Sequence, residues 1–266
     1  MNTRYIDVHS HLQFEQFAHD EEKLVAKMQE QGIAAIVVGI DYSSSKKAVM
    51  LSEKYDNLYA AVGVHPNTQA DNRYDISYYR ALAAHPKVVA IGECGLDYYR
   101  PVEINANVKD VQKELLKNHI GLAVTINKPL IIHCRPTKGV QDAYHDLIEI
   151  LQEAKKEHPK LCGDIHFFVG TLQEAEEFSK LDFTVSFTAV ITFARDYDEV
   201  IRAIPLKDIL VETDAPYVAP AARRGERNDP LAVVDVVGRI AEIRGEDPET
   251  VRAALLANAK RVFALP

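Results

Sequence analysis

The chain has 266 residues, 47% of them hydrophobic and 26% charged, with a formal net charge of −8 at pH 7. That length matches the ~250 residues of one (β/α)8 barrel, and the composition is that of an ordinary globular protein. The negative charge excludes a protein that coats nucleic acid by bulk electrostatics, and no apolar run approaches the ~20 residues that span a bilayer.

The N-terminus, MNTRYIDVHSH, lacks the basic and apolar regions of a secretory signal. The first predicted strand is Tyr5–Val8, followed by a helical pattern over Glu21–Gln31. Ala35–Val38 and Tyr59–Val62 follow as strands on either side of a helix over Ser44–Lys54. Val88–Ile91 is the fourth strand, Ile104–Leu122 a helix, Leu130–Ile132 the fifth strand and Val140–Glu157 a helix. Cys162–Ile165, Phe183–Ser186 and Ile209–Val211 complete eight strands, and Pro230–Arg244 and Pro248–Lys260 are the last helices. The helical stretches place apolar residues three and four apart with charges between them. Several strands are apolar throughout, as strands covered on both faces are. Regular alternation predicts parallel βα units, and eight of them predict an α/β fold closed as a single TIM barrel over residues 1–266. An open doubly wound sheet is the alternative, but neither GxGxxG nor GxxxxGK[ST] follows the first strand. The three cysteines, Cys94, Cys134 and Cys162, are odd in number and form no CxxC. They read as small buried thiols near the strands, in a protein of the reducing cytoplasm.

Of ten histidines, His9, His11, His65, His133 and His166 fall at or just past predicted strand ends. The other five, His19, His85, His119, His145 and His158, read as solvated surface residues. A parallel barrel gathers its strand ends on one face, so the first five become neighbours there with Glu93 and Asp214. Imidazole nitrogen and carboxylate oxygen are ligands for divalent transition metals. His9 and His11 are two apart and point to one side of an extended chain. Glu93 follows an apolar strand, and a carboxylate has two oxygens with which to bridge two cations. Arg135, two residues past His133, reads either as a phosphate contact or as the partner of a structural carboxylate. Glu212, one alternation before Asp214, faces inward beneath it.

With IDVHSHL (6–12), VGVHP (62–66), AIGECGLDYYR (90–100), PLIIHCR (129–135), IHFFVG (165–170), VETDAPY (211–217), RRGERND (223–229) and NAKRVF (258–263), the chain resembles the TatD family of metal-dependent deoxyribonucleases. The resemblance runs from residue 6 to about residue 263. It implies two divalent metal ions, Mg, Mn or Zn. His9, His11 and Asp214 would hold one and His133 and His166 the other, with Glu93 between them and His65 beside the site, touching substrate or the attacking water. Val169 stands where the family often has serine, and SFTAV replaces a stretch that often carries glycine. Both departures concern substrate contacts.

The expected chemistry is hydrolysis of a DNA phosphodiester by an activated water, with Asp214 as general base and Arg135 assisting at the phosphoryl oxygens. Asp214, Glu93 and His65 are the expected catalytic residues. Tyr99 and Arg100 would line the mouth and suit a nucleic-acid end, while Tyr98 reads as loop packing. Arg223 and Arg224 would contact phosphate or order the loop after the eighth strand, and Asn228 would order it. The resemblance, rather than the residues, implies a 3′-5′ exonuclease acting on single-stranded DNA or 3′ ends. No membrane and no obligate protein partner is expected. A related two-metal enzyme acting on a small amide, lactone or phosphoester is the alternative, since fold does not fix substrate. A non-catalytic barrel is disfavoured because every ligand position holds a competent residue.

Overall fold

In the computed structural model, which describes residues 2–68, 75–101 and 104–266, eight strands alternate with helices from end to end. They run in the order β1 (Tyr5–Ser10), α1 (Glu21–Glu30), β2 (Ile33–Val38), α2 (Tyr42–Lys54), β3 (Leu58–Val62), α3 (Ile76–Ala83), β4 (Val88–Asp97), α4 (Ala106–Ile126) and β5 (Leu130–Arg135). The second half continues with α5 (Asp142–Glu157), β6 (Gly163–His166), α6 (Leu172–Lys180), β7 (Phe183–Phe187), α7 (Asp198–Ala203), β8 (Ile209–Val211), α8 (Val233–Arg244) and α9 (Pro248–Phe263). Each strand pairs in parallel with the next in sequence.

The apolar strands bury both faces because each face has a partner. Ile33, Ala35 and Val37 of β2 pack with helix residues such as Leu24, Val25 and Ala48. Ala34, Ile36 and Val38, pointing the other way, join Ile6, Ala61, Ile131 and Leu210 in a second cluster that Val262 and Phe263 of α9 complete. The sheet closes at the β1–β8 seam. There the N–H of His11 donates to Ala215 O (2.8 Å) and that of Asp214 to His9 O (2.9 Å). Deeper in the seam the buried Asp7 carboxylate accepts the Thr213 N–H (2.9 Å) and hydroxyl (2.5 Å).

Three pairings slip, β1–β2 between Asp7 and Ser10, β3–β4 between Ala60 and Ala61, and β4–β5 between Ile91 and Cys94. Such irregularities re-aim side chains, and the first and last of these carry His9 and Glu93. Past the β4–β5 slip, β4 runs so close to β5 that a Cβ on Gly95 would strike the His133 carbonyl, and Gly95 holds φ +141°, a backbone conformation that glycine tolerates.

The structure corrects several expectations. β4 extends six residues beyond Ile91, so Glu93 lies within a strand rather than after it, and β5 likewise runs past His133. Pairing of Cys94–Asp97 with Ile132–Arg135 keeps these two ends extended where apolar patterning stops. Pro230 opens a 3-10 turn, Pro230–Ala232, ahead of α8. Cys94 and Cys134 are buried, but Cys162 is partly exposed just before β6.

His119 is buried, not solvated. Its Nδ1–H donates to Leu115 O one turn earlier in α4 (2.7 Å), and Nε2 accepts the N–H of Val64 (3.0 Å). Burial lowers its pKa to about 4, against a smaller opposing effect of the Leu115 bond. A folded pKa below the unfolded value of about 6.5 means that stability is full above pH 6.5 and falls as pH drops toward 4. The expected contribution is about 3 kcal/mol between pH 7 and pH 4. Unfolding free energies from urea titrations of the protein and of His119→Gln, which keeps an acceptor for Val64 but does not titrate, should diverge by that amount between pH 7 and pH 4. Parallel curves would refute the assignment.

Candidate metal centre

Four strands and the segment after a fifth bring six of the expected residues together. His9 and His11 come from β1 and the residue beyond it, Glu93 from β4, His133 from β5, His166 from β6, and Asp214 follows β8. His9 Nε2 lies 3.3 Å from His11 Nε2 and 3.5 Å from Glu93 Oε2. Asp214 Oδ1 lies 3.5 Å from His11 Nε2 and 3.9 Å from His9 Nε2. On the other side, Glu93 Oε1 is 3.1 Å from His133 Nδ1, 3.4 Å from His166 Nε2 and 3.5 Å from His65 Nε2. The two oxygens of one buried carboxylate therefore face two separate sets of imidazoles.

Ligands at about 2.0–2.2 Å from a tetrahedral ion are roughly 3.3–3.6 Å from one another, and most of these spacings fall there. The tautomers agree. A carbonyl or carboxylate only accepts, so the ring nitrogen facing it carries the proton and the other nitrogen offers a lone pair. His11 Nδ1–H donates to Val38 O (2.8 Å), and His166 Nδ1–H to Glu212 Oε2 (2.8 Å). His133 Nε2–H donates to Asp97 Oδ2 (3.1 Å). With a cation beside Glu93 and Asp214, these three rings would keep their outer protons and offer it His11 Nε2, His133 Nδ1 and His166 Nε2. His9 Nδ1 is buried without a hydrogen-bond partner among the described residues, 3.9 Å from Glu212 Oε2. The donor set fits divalent cations, and ligand atoms from His9, His11 and Glu93, and from Glu93, His133 and His166, gather closely enough to hold them.

The charges are mutually dependent. Burial pushes Glu93 up, but the surrounding histidines, His65, His133 and His166, outweigh it and hold the carboxyl well below its usual range. Burial likewise raises Asp214, and the His11 hydrogen bond with the charges of His166 and His9 brings it below the ordinary carboxylate value. His166 is driven down by burial yet held well above its usual range by Glu212 and then Glu93. His9 is lowered, first by burial and then by His166. Asp214 holds φ +52°, a region Asp tolerates better than most residues.

Asp97, overlooked in the sequence, lies two alternations beyond Glu93 on the same strand. It is fully buried and accepts from His133, from Asn67 Nδ2 (2.7 Å) and from the N–H groups of Tyr99 and Arg100 (2.9 Å each). Strand periodicity through GECGLD would have revealed it, had β4 been read to its true end. Glu212 is buried as expected, and Ser186 Oγ, 2.9 Å from its Oε1, ties it to Asp164 (2.5 Å). Burial raises the Asp164 pKa to about 7.

The mouth is a cavity of about 570 Å³ lined by His65, Tyr99, Arg100, Arg135, Tyr197 and Tyr217, among others. The Arg135 guanidinium lies over the Tyr99 ring, 4.2 Å from its centroid. Tyr98 turns inward, its hydroxyl donating to Asp146 (2.8 Å). Arg100 stays exposed, 3.8 Å from Asp97. Arg224 does not line the cavity but stacks on Phe193 (3.9 Å), and Arg223 pairs with Asp229 (2.9 Å). Asn228 is buried and donates to Thr213 O (3.0 Å) and Val218 O (3.2 Å), fixing the loop beyond Asp214.

An eight-stranded parallel barrel with clustered imidazoles and carboxylates at its mouth defines a metal-dependent hydrolase of the TIM-barrel class. The profile of the TatD related DNase family matches residues 6–264, and the chain belongs to the TatD family. It is 38% identical over 263 residues to the uncharacterized metal-dependent hydrolase YabD of Bacillus subtilis, covering 97% of this chain and 98% of the relative. It is 31% identical over 267 residues to the 3'-5' ssDNA/RNA exonuclease TatD of Citrobacter rodentium, covering 97% of each. The crystal structure of the TatD homologue YjjV from Escherichia coli superposes with a TM-score of 0.88 at 30% identity and complete coverage of both chains. Among the described residues, no helix is long and apolar enough to cross a membrane.

Proposed function

We propose that this hydrolase is a deoxyribonuclease that removes nucleotides from the 3′ end of single-stranded DNA with two divalent metal ions, Mg, Mn or Zn. The observation that carries the two-ion reading is the division of Glu93, with Oε2 toward His9 and His11 and Oε1 toward His133 and His166. His9, His11 and Asp214 form one ligand set, His133 and His166 the other, and Glu93 belongs to both. When bound, such ions activate a water at neutral pH and polarise the phosphoryl group. Asp214, ionised at working pH and open to the cavity, accepts the proton of the attacking water. Arg135 and Arg100 neutralise phosphate charge, and Tyr99, already stacked by Arg135, offers a face to a terminal base. Arg224, outside the cavity, is assigned to strand further from the scissile bond. The substrate supplies the only partner the reading requires, and residues 1–266 act as one domain. The three unpaired cysteines favour the cytoplasm.

One observation favours a smaller substrate: a mouth of about 570 Å³ lies within the range of small-molecule sites. One experiment separates the two. Protein stripped of metal is given Mg, Mn or Zn separately, and nucleotide release from 3′-labelled single-stranded DNA is followed. Release restored by metal is expected. Bound metal without release under any ion would transfer the assignment to a small amide, lactone or phosphoester.

A further inference from the structure

Two of the site histidines, one from each ligand set, are stacked on each other. The rings of His9 and His166 lie 3.7 Å apart between centroids, with 17° between their planes. At one end their Nε2 atoms face the two oxygens of Glu93, His9 at 3.5 Å and His166 at 3.4 Å. At the other end both Nδ1 atoms face a single oxygen of a second carboxylate. Glu212 Oε2 is 2.8 Å from His166 Nδ1 and 3.9 Å from His9 Nδ1. Two nearly parallel imidazoles thus stand between two glutamates, and each glutamate meets both rings.

We infer that Glu212 is a positioning residue common to both ion sites, the acceptor that fixes His166 in one set and His9 in the other. An ionised carboxylate offers about four lone-pair sites. Glu212 Oε1 accepts the N–H of Phe167 (2.5 Å) and lies 2.9 Å from Ser186 Oγ, while Oε2 accepts from His166. One lone pair is left on Oε2. Facing it is His9 Nδ1, a buried ring nitrogen without a hydrogen-bond partner among the described residues. To offer a cation its Nε2, a neutral His9 carries its proton on Nδ1, and a buried N–H requires an acceptor. Glu212 is well placed to be that acceptor because it is itself fixed. It is fully buried, tied to the Phe167 backbone and to Ser186, whose hydroxyl also reaches Asp164 (2.5 Å). Losing Glu212 therefore loosens one ligand of each ion. Losing Asp97, which among the six ligands bonds His133, loosens a ligand of one.

The inference rests on the two-ion reading for its second ion, but not for the two rings. Protein stripped of metal is equilibrated with buffered free Zn, and Zn per chain is measured by elemental analysis for the parent, Glu212→Gln and Asp97→Asn. Gln keeps the volume but has one oxygen where Glu212 uses two. Glu212→Gln should raise the free Zn required for each of the two ions by roughly 10–100-fold. Asp97→Asn should do so for one ion, and it measures whatever passes between the sites through Glu93. A shift of a single ion in Glu212→Gln, no shift at all, or the same pattern in both variants overturns the inference. A second measurement needs no change at Glu212. Zn-loaded parent is labelled with 15N-histidine and assigned by difference with His9→Asn and His166→Asn. Both rings should be protonated on Nδ1, with both protons at the low field of a bond to carboxylate. An unprotonated His9 Nδ1, or a His9 proton without that shift, defeats the sharing. A parent that holds only one Zn per chain defeats the two-ion reading instead, and the ring protons still judge whether Glu212 holds both histidines.

Discussion

Asp214→Asn is expected to fold and to lose roughly 10²–10⁴-fold in kcat, the range for removing a positioned general base. Folding is spared because asparagine tolerates a positive φ at least as well as aspartate, and Asp214 holds φ +52°. The backbone bonds that fix the position, Asp214 N–H to His9 O and Tyr217 N–H to Asp214 O, are both 2.9 Å and do not involve the side chain. What changes is one oxygen that is 3.5 Å from His11 Nε2, ionised, and accessible from the cavity. The loss should appear in kcat with KM nearly unchanged, since a proton acceptor acts in the transition state. Thermal unfolding and nucleotide release on the same preparation check both halves. Full activity in the variant would refute Asp214 as base.

The second large effect is expected at Glu93. Gln in its place keeps the volume but removes the one carboxylate shared by both imidazole sets. Losing an outer partner of a ligand typically weakens metal affinity about 10–100-fold, and losing a ligand common to both sets should exceed that. The rings themselves should stay in place, because Asp97 holds His133, Glu212 holds His166 and Val38 holds His11, all without Glu93. Metal per chain should therefore fall while the fold persists, and turnover should disappear at metal concentrations that saturate the parent. A Glu93→Gln protein with its full complement of metal would exclude the bridging assignment.

Much of the barrel was legible because parallel strands covered on both faces must be apolar runs, and helices on a sheet must repeat every three or four residues. The departures have two causes. β4 and β5 outrun their apolar patterns because Asp97, His133 and Arg135 remain paired to neighbouring strands even though their side chains are polar. His119 looked like a surface residue because a helix position alone does not reveal what packs against it. The backbone of Val64, 55 residues away, gives the buried neutral imidazole a donor that the local helix pattern does not reveal. Asp97 was hidden for the reason β4 was cut short.

The sequence by itself determined the class of fold and the identity of the residues that meet at its mouth. Period and alternation fix which face of an element is buried, and strand ends in a parallel barrel converge whatever their separation along the chain. Only the tertiary structure decided which nitrogen of each histidine faces the centre and how Glu93 divides its oxygens. It alone showed that the Asn67 side chain braces Asp97 behind His133. Those properties depend on single hydrogen bonds between segments distant in sequence, and a ring takes its tautomer from the partner that the fold places beside it.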